Sequence, residues 1–138
     1  MNYWLFKSEP GTWSWDDQKK NSTTSWDGVR NYQASNNMKD MKVGDLGFFY
    51  HSVNEKRILG VVEVIKEYYP DHTDPKGRFG MVDVKAVSEF KTPITLADVK
   101  GDPKLSHLQL VTHSRLSVQS VDKAAWDRIV SLGNVEDL

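Results

Sequence analysis

Two short segments concentrate the side chains able to do chemistry. Trp26-Asp27-Gly28-Val29-Arg30-Asn31-Tyr32-Gln33-Ala34 brings an indole, a carboxylate, a hinge glycine, a guanidinium and several amide or hydroxyl groups into nine positions. Upstream, Lys7-Ser8-Glu9-Pro10 adds an ammonium, a hydroxyl and a second acid. A segment built only for packing would repeat apolar residues at the period of a helix or a strand, and neither stretch does. The combination suits a concave site in which a flat ring stacks on Trp26 while Glu9, Asp27, Ser8 and Asn31 read its edge. Stacking of a base on an aromatic side chain is worth about 1–3 kcal/mol and chooses little among bases. Choice falls to the acids, because a carboxylate accepts from the exocyclic amine of cytosine or adenine and faces acceptors on uracil, thymine and guanine O6. Burial of one methyl on that base adds about 0.8 kcal/mol.

Each of these residues has a plainer reading. Glu9 and Asp27 serve equally as solvated surface acids, and Asn31 serves equally as a helix cap. Arg30, Lys7 and Arg115 are the cations nearest the motifs and the expected phosphate contacts, while Arg30 can instead neutralise Asp27 or Glu9 and hold the pocket rigid. Extruding a base from a duplex costs a few kcal/mol, so single strands or already flipped bases are the favoured partners.

Composition narrows the alternatives. The 18 Lys and Arg balance 19 Asp and Glu, so no bulk cationic field is present and any nucleic-acid contact must be local. The absence of cysteine removes disulfides, thiolate catalysis and thiolate metal sites. No phosphate-binding glycine loop, dinucleotide fingerprint or paired-histidine zinc motif occurs, and neither cofactor nor metal is expected. Asp71-His72-Thr73-Asp74 reads as a solvated turn rather than a cation site. His51-Ser52 and His113-Ser114 raise a rival reading, a nucleic-acid hydrolase working through His51 and an acid such as Asp45. Adjacent residues on a strand point to opposite faces, which argues against it. A third reading is a protein-interaction domain whose pocket packs a partner side chain. No signal peptide or apolar run of about 20 residues is seen, which predicts a cytoplasmic protein with no membrane partner.

The elements that must position these residues are legible in part. With 138 residues and 38% hydrophobic content, the chain is expected to form one domain over residues 1–138. Tyr3 to Lys7 reads as an opening strand, Thr12 or Ser14 as the cap of a short helix through Lys19, and Asn21 to Ser25 as a polar loop. A helix spans Asn31 to Met41 and a strand Leu46 to His51. Ile58 to Tyr69 is the long central strand, with Val61, Val62, Val64 and Ile65 buried. Met81 to Val87 alternates as a strand with one wet face. Thr95 to Val99 and Lys104 to Leu110 are short helices or turns, Arg115 to Gln119 is a late strand, and Asp122 caps a final helix with Val121 and Trp126 as its staple.

Five separated motifs, in order, carry a resemblance. Tyr3 to Pro10, Trp26 to Ala34, Gly44-Asp45, Phe49-Tyr50-His51-Ser52 and Arg115-Leu116-Ser117-Val118-Gln119 resemble the successive signatures of the EVE domain, across nearly the whole chain. The resemblance implies a PUA-like α+β pseudobarrel, a mixed curved sheet flanked by short helices, related to the YTH domains that read methylated adenine in RNA. It implies a binding module without turnover, whose aromatic pocket holds a modified base, a methylated cytosine or adenine, in DNA or RNA. Tyr50, His51 and Ser52 read as ending a strand near the pocket, with one or two lining it and the others packed, and similarity to YTH domains calls for a second aromatic wall from Tyr68, Tyr69 or Phe79. Two positions depart from the family pattern: Ser35 stands where arginine is usual, with loss of a phosphate contact expected, and Ser120 where proline is usual.

Overall fold

The structure is a computed structural model that describes residues 1–136. One mixed sheet holds β1 (Tyr3–Ser8), β2 (Thr23–Ser25), β3 (Leu46–His51), β4 (Arg57–Pro70), β5 (Gly80–Thr95) and β6 (Val118–Val121), in the order β2-β5-β4-β3-β1-β6. The β1 and β3 strands run parallel and the other pairs antiparallel. Five helices flank the sheet: α1 (Trp15–Asn21), α2 (Tyr32–Lys39), α3 (Leu96–Lys100), α4 (Gln109–Thr112) and α5 (Lys123–Leu132).

Helix starts follow local chemistry. Ser14 and Asp17 close a capping box at α1, Asn31 accepts from the Ala34 N–H at α2, and Asp122 accepts from the Ala125 N–H at α5. Strand residues alternate between two apolar clusters because successive side chains leave opposite faces. Trp4, Phe6, Phe49, Val62, Val64 and Val82 pack with Trp15, Ala34 and Met38, whereas Leu5, Phe48, Tyr50, Ile58 and Val61 pack under Val99, Leu110, Trp126 and Ile129. Val121 and Trp126 share the second cluster, as the staple requires.

The sheet curls far enough for its edge to meet its middle. Trp26 follows β2 at one edge, yet its ring lies 5.1 Å from Phe6 in β1 and 5.6 Å from Phe49 in β3. Four register shifts along the β4–β5 ladder supply the bend. The result is the expected curved α+β pseudobarrel.

Several expected boundaries are corrected. Asn21 to Ser25 is not all loop: Thr23–Ser25 pairs with Asp83 to Lys85, polar because it forms a sheet edge. The strand from Gly80 continues to Thr95 instead of stopping at Val87, because bulges break its alternation before Phe90 and Ile94 reach the second cluster. Ile65 is exposed, since the shift between Val64 and Lys66 turns it outward. The late strand starts at Val118 rather than Arg115, and the Lys104 to Leu110 stretch is turn until Gln109.

Gly60 carries the Trp15 indole directly on its backbone, and a Cβ there would collide with that ring. Gly60→Ala is expected to displace the indole and cost about 1–3 kcal/mol, read as a lower urea midpoint with unchanged slope.

Candidate functional site

A cleft of about 590 Å³ opens where the end of β1 faces the segment after β2, lined by residues including Ser8, Glu9, Trp13, Ser25, Trp26 and Asp27. Two turns build it. Pro10 and Gly11 turn the chain after β1, with the Thr12 and Trp13 N–H groups both donating to the Glu9 carbonyl at 2.9 Å. The Ser8 hydroxyl donates to the Trp13 carbonyl, and Trp13 Nε1 donates to Gln18 Oε1 at 2.9 Å, so the half-buried indole is held as a wall. On the other side the Trp26 N–H donates to the Val82 carbonyl at 2.8 Å. Gly28 then takes φ +79°, a left-handed conformation that a side chain would strain.

Trp26 is more deeply set than an open platform. Trp26 is 8% exposed and packs in the first cluster, but the residue is not sealed, because it lines the cleft. Its indole N–H has no acceptor among the described residues, and it is not among the fully buried polar atoms left without a partner, so it keeps some contact with solvent.

Charges around the rim are unevenly committed. The exposed Glu9 carboxylate makes no ion pair among the described residues, and Asp27 has only His72 Nε2 at 3.9 Å. Both acids remain available as acceptors. Lys7 lines the cleft, but its ammonium donates to the Ser114 carbonyl at 2.7 Å beside the Tyr50 ring, and burial lowers its pKa. Arg115 is exposed. Arg30 pairs with the buried Asp71 at 3.1 Å rather than with Asp27 or Glu9.

Asp71 is the anchor of this corner. Its side chain is 0% exposed and accepts from the Gly28 N–H, the Arg30 guanidinium, and both the N–H and hydroxyl of Thr73. Burial by itself would raise its pKa, but the bonds from Thr73, Gly28 and Arg30 outweigh it and bring the value to about 2. Asp74 accepts from the N–H groups of Lys76, Arg78 and Phe79. The loop is thus a self-bonded turn, and no cluster of three metal-ligating acids, histidines or cysteines occurs among the described residues.

Other expected site residues are used differently. Asn31 spends its side-chain oxygen on the α2 cap. Tyr50 points to the sheet face opposite Trp26, in the second cluster, because alternation along β3 separates it from Phe49. His51 is buried, its Nε2 accepting from the Trp15 N–H at 2.8 Å and its Nδ1 lying 2.6 Å from Glu55. The Trp15 donor requires a lone pair at Nε2, which puts the ring proton on Nδ1 toward Glu55. The Ser52 hydroxyl bonds the Ser8 carbonyl at 3.3 Å and ties β3 to the cleft's first turn. Tyr68 bonds the Ser35 hydroxyl at 2.8 Å, Tyr69 bonds Asp83 and Ser25, and Phe79 packs against Tyr32 in a tilted arrangement. The second indole in the cleft comes instead from Trp13, whose signal is an aromatic set in a Pro- and Gly-flanked turn.

Both departures from the family pattern have structural uses. Ser35 is buried against Tyr68, so its hydroxyl packs inward. The Ser120 N–H donates to Gln109 Oε1 at 3.2 Å, a bond that proline lacks the hydrogen to make.

A curved sheet with a polar-rimmed, indole-walled cleft at the end of β1 defines a PUA-like α+β domain. The EVE domain model matches residues 2–132, and the chain belongs to that family. Thymocyte nuclear protein 1 of Homo sapiens is 38% identical over 170 residues, covering 98% of this chain and 75% of its own length. A Rhodopseudomonas palustris protein solved by NMR superposes with a TM-score of 0.92 at 46% identity, covering 97% of this chain and 94% of its own. The crystal structure of human THYN1 protein in complex with 5-methylcytosine-containing DNA gives a TM-score of 0.88 at 37% identity, covering 100% of this chain and 99% of its own. A YTH domain, at 16% identity with a TM-score of 0.64, shares the fold. No helix among the described residues is long and apolar enough to cross a membrane.

Proposed function

We propose that the protein is a reader of modified nucleobases, binding a methylated cytosine or adenine of DNA or RNA in the cleft and releasing it unchanged. The observation that carries this reading is the convergence of two indoles, Trp13 and Trp26, with two acids free to accept, Glu9 and Asp27, on one cleft. The indoles supply base-tolerant stacking and the acids supply preference for an exocyclic amine. A family relative whose structure holds 5-methylcytosine-containing DNA supports the ligand class. Binding without turnover is favoured because His51 has its Nε2 lone pair committed to the Trp15 backbone, which removes the general base that the hydrolase reading requires.

The test is a panel of short single strands that differ in one modification, measured by fluorescence polarisation and followed by mass spectrometry of the recovered strand. Strands with 5-methylcytosine or N6-methyladenine are expected to bind above their unmodified counterparts by about fourfold, the worth of one buried methyl, and to return intact. Equal binding across the panel defeats the reading, and a cleaved strand replaces it with catalysis. Trp13→Ala is expected to weaken the best strand by about 5- to 100-fold, while costing less stability than loss of a fully buried ring.

A further inference from the structure

We propose that the surface beside the cleft, formed by Tyr32, Phe79 and Arg30, is a stacking platform for the nucleotide adjoining the one held in the cleft, with Lys76 and Arg78 taking its phosphates. This rests on the base-binding reading above.

Tyr32 opens α2 and is 62% exposed, the one aromatic among the large apolar side chains left open to solvent in the described residues. Its ring is not loose. It packs on Phe79 at 4.9 Å between centroids and 36° between planes, and Arg30 lies 5.8 Å from the centre of the Phe79 ring. Arg30 is itself pinned by Asp71, by the Thr73 hydroxyl at 2.9 Å and by the Val29 carbonyl at 3.1 Å. A guanidinium has five N–H donors, so Arg30 keeps others for a phosphate oxygen. An exposed tyrosine backed by a half-buried phenylalanine, beside a fixed guanidinium, is an arrangement suited to holding single strands, combining base-tolerant stacking with local positive charge.

The platform is joined to the cleft by a short run of contacts. Gly28 lines the cleft and donates to Asp71 at 2.8 Å, Asp71 pairs with Arg30, and Arg30 lies over Phe79. Charge favours a phosphate backbone at this corner even though the whole chain carries a net charge of −1. The carboxylates of Asp71 and Asp74 are consumed by N–H groups and Arg30, whereas Lys76 and Arg78 are exposed and make no ion pair among the described residues. Unpaired cations in the turn that leads to Phe79 fit single-stranded nucleic acid and oppose an apolar protein partner, which would leave them desolvated.

The experiment compares two probes on the full chain: a short fluorescein-labelled single strand with one central 5-methylcytosine, and free 5-methyl-2′-deoxycytidine followed by NMR shifts of the indole N–H signals. Tyr32→Ala is expected to weaken the strand about 5- to 100-fold and leave the nucleoside titration unchanged. The exposed site and the better helix propensity of alanine keep this variant folded, which its thermal melt checks. Lys76→Gln with Arg78→Gln is expected to flatten the slope of log affinity against log salt by about 1.4. Unchanged strand binding by Tyr32→Ala overturns the platform. So does an equal loss for nucleoside and strand, which would place Tyr32 in the cleft itself. If the native protein shifts with neither probe, the cleft reading has failed and the platform falls with it.

Discussion

Trp26→Ala is expected to lower folding stability by about 3–5 kcal/mol and to weaken a 5-methylcytosine strand by about 5- to 100-fold. The stability loss follows from placement: Trp26 is 8% exposed and its ring is wedged against Phe6 and Phe49, so truncation empties the first apolar cluster where the sheet edge meets its middle. The binding loss has a separate origin, removal of the indole that lines the cleft. Urea denaturation reads the first and polarisation of the labelled strand, at a temperature where the variant is folded, reads the second. Trp26→Phe separates them, since it keeps most of the packed volume but lacks the N–H donor. A Trp26→Ala protein that stays folded and binds with native affinity would remove Trp26 from the recognition surface.

Asp71→Asn carries the next largest effect, about 3 kcal/mol of stability. An amide there loses the charge opposite Arg30 and turns an NH₂ toward donors that the carboxylate satisfied, namely Gly28, Thr73 and Arg30. The pH dependence gives a sharper readout. The native carboxyl sits at about 2 against an ordinary 3.8, so its contribution of about 2 kcal/mol is complete above pH 4 and disappears as the pH falls toward 2. The Asp71→Asn protein should lack that part of the acid-induced loss, its stability changing less steeply by up to about 1.4 kcal/mol per pH unit in this window. Native and variant chains with parallel pH profiles between 4 and 2 would show that the pair contributes nothing to folding. Because Asp71 also holds Gly28 and Arg30, the variant is expected to bind the strand more weakly at neutral pH.

The readings that succeeded depend on neighbours in the chain. Ser14, Asn31 and Asp122 cap helices by bonding a group three residues on, so local sequence marks Asp122 outright and offers Ser14, beside Thr12, and Asn31, beside its reading as a pocket residue, as candidates. The apolar run of β4 marks the middle of the sheet for the same reason. The readings that failed depend on distant partners. Thr23–Ser25 becomes a strand only because Asp83 to Lys85 arrives beside it, and Ile65 is turned outward by a bulge that no local pattern announces. His51 looks reactive beside Ser52, but its Nε2 is taken by the Trp15 backbone, 36 residues earlier. Trp13 shows locally only an aromatic in a Pro- and Gly-flanked turn, and that it forms a wall depends on Ser8 and Gln18, which hold it once the turn has formed.

What this chain determines from its residues alone is the family, through five ordered motifs, and the chemistry on offer: indoles, acids, amides, and cations too few for bulk attraction to nucleic acid. Tertiary structure decided how those groups divide between support and contact. It put Asn31 on a cap, Arg30 on Asp71 and Tyr50 on the far face, and it drew Trp13 and Trp26 to one cleft. The physical reason is that a curved sheet joins β1 to the segment after β2 by bulges and long-range pairing, and which face a side chain takes depends on register that only those pairings set.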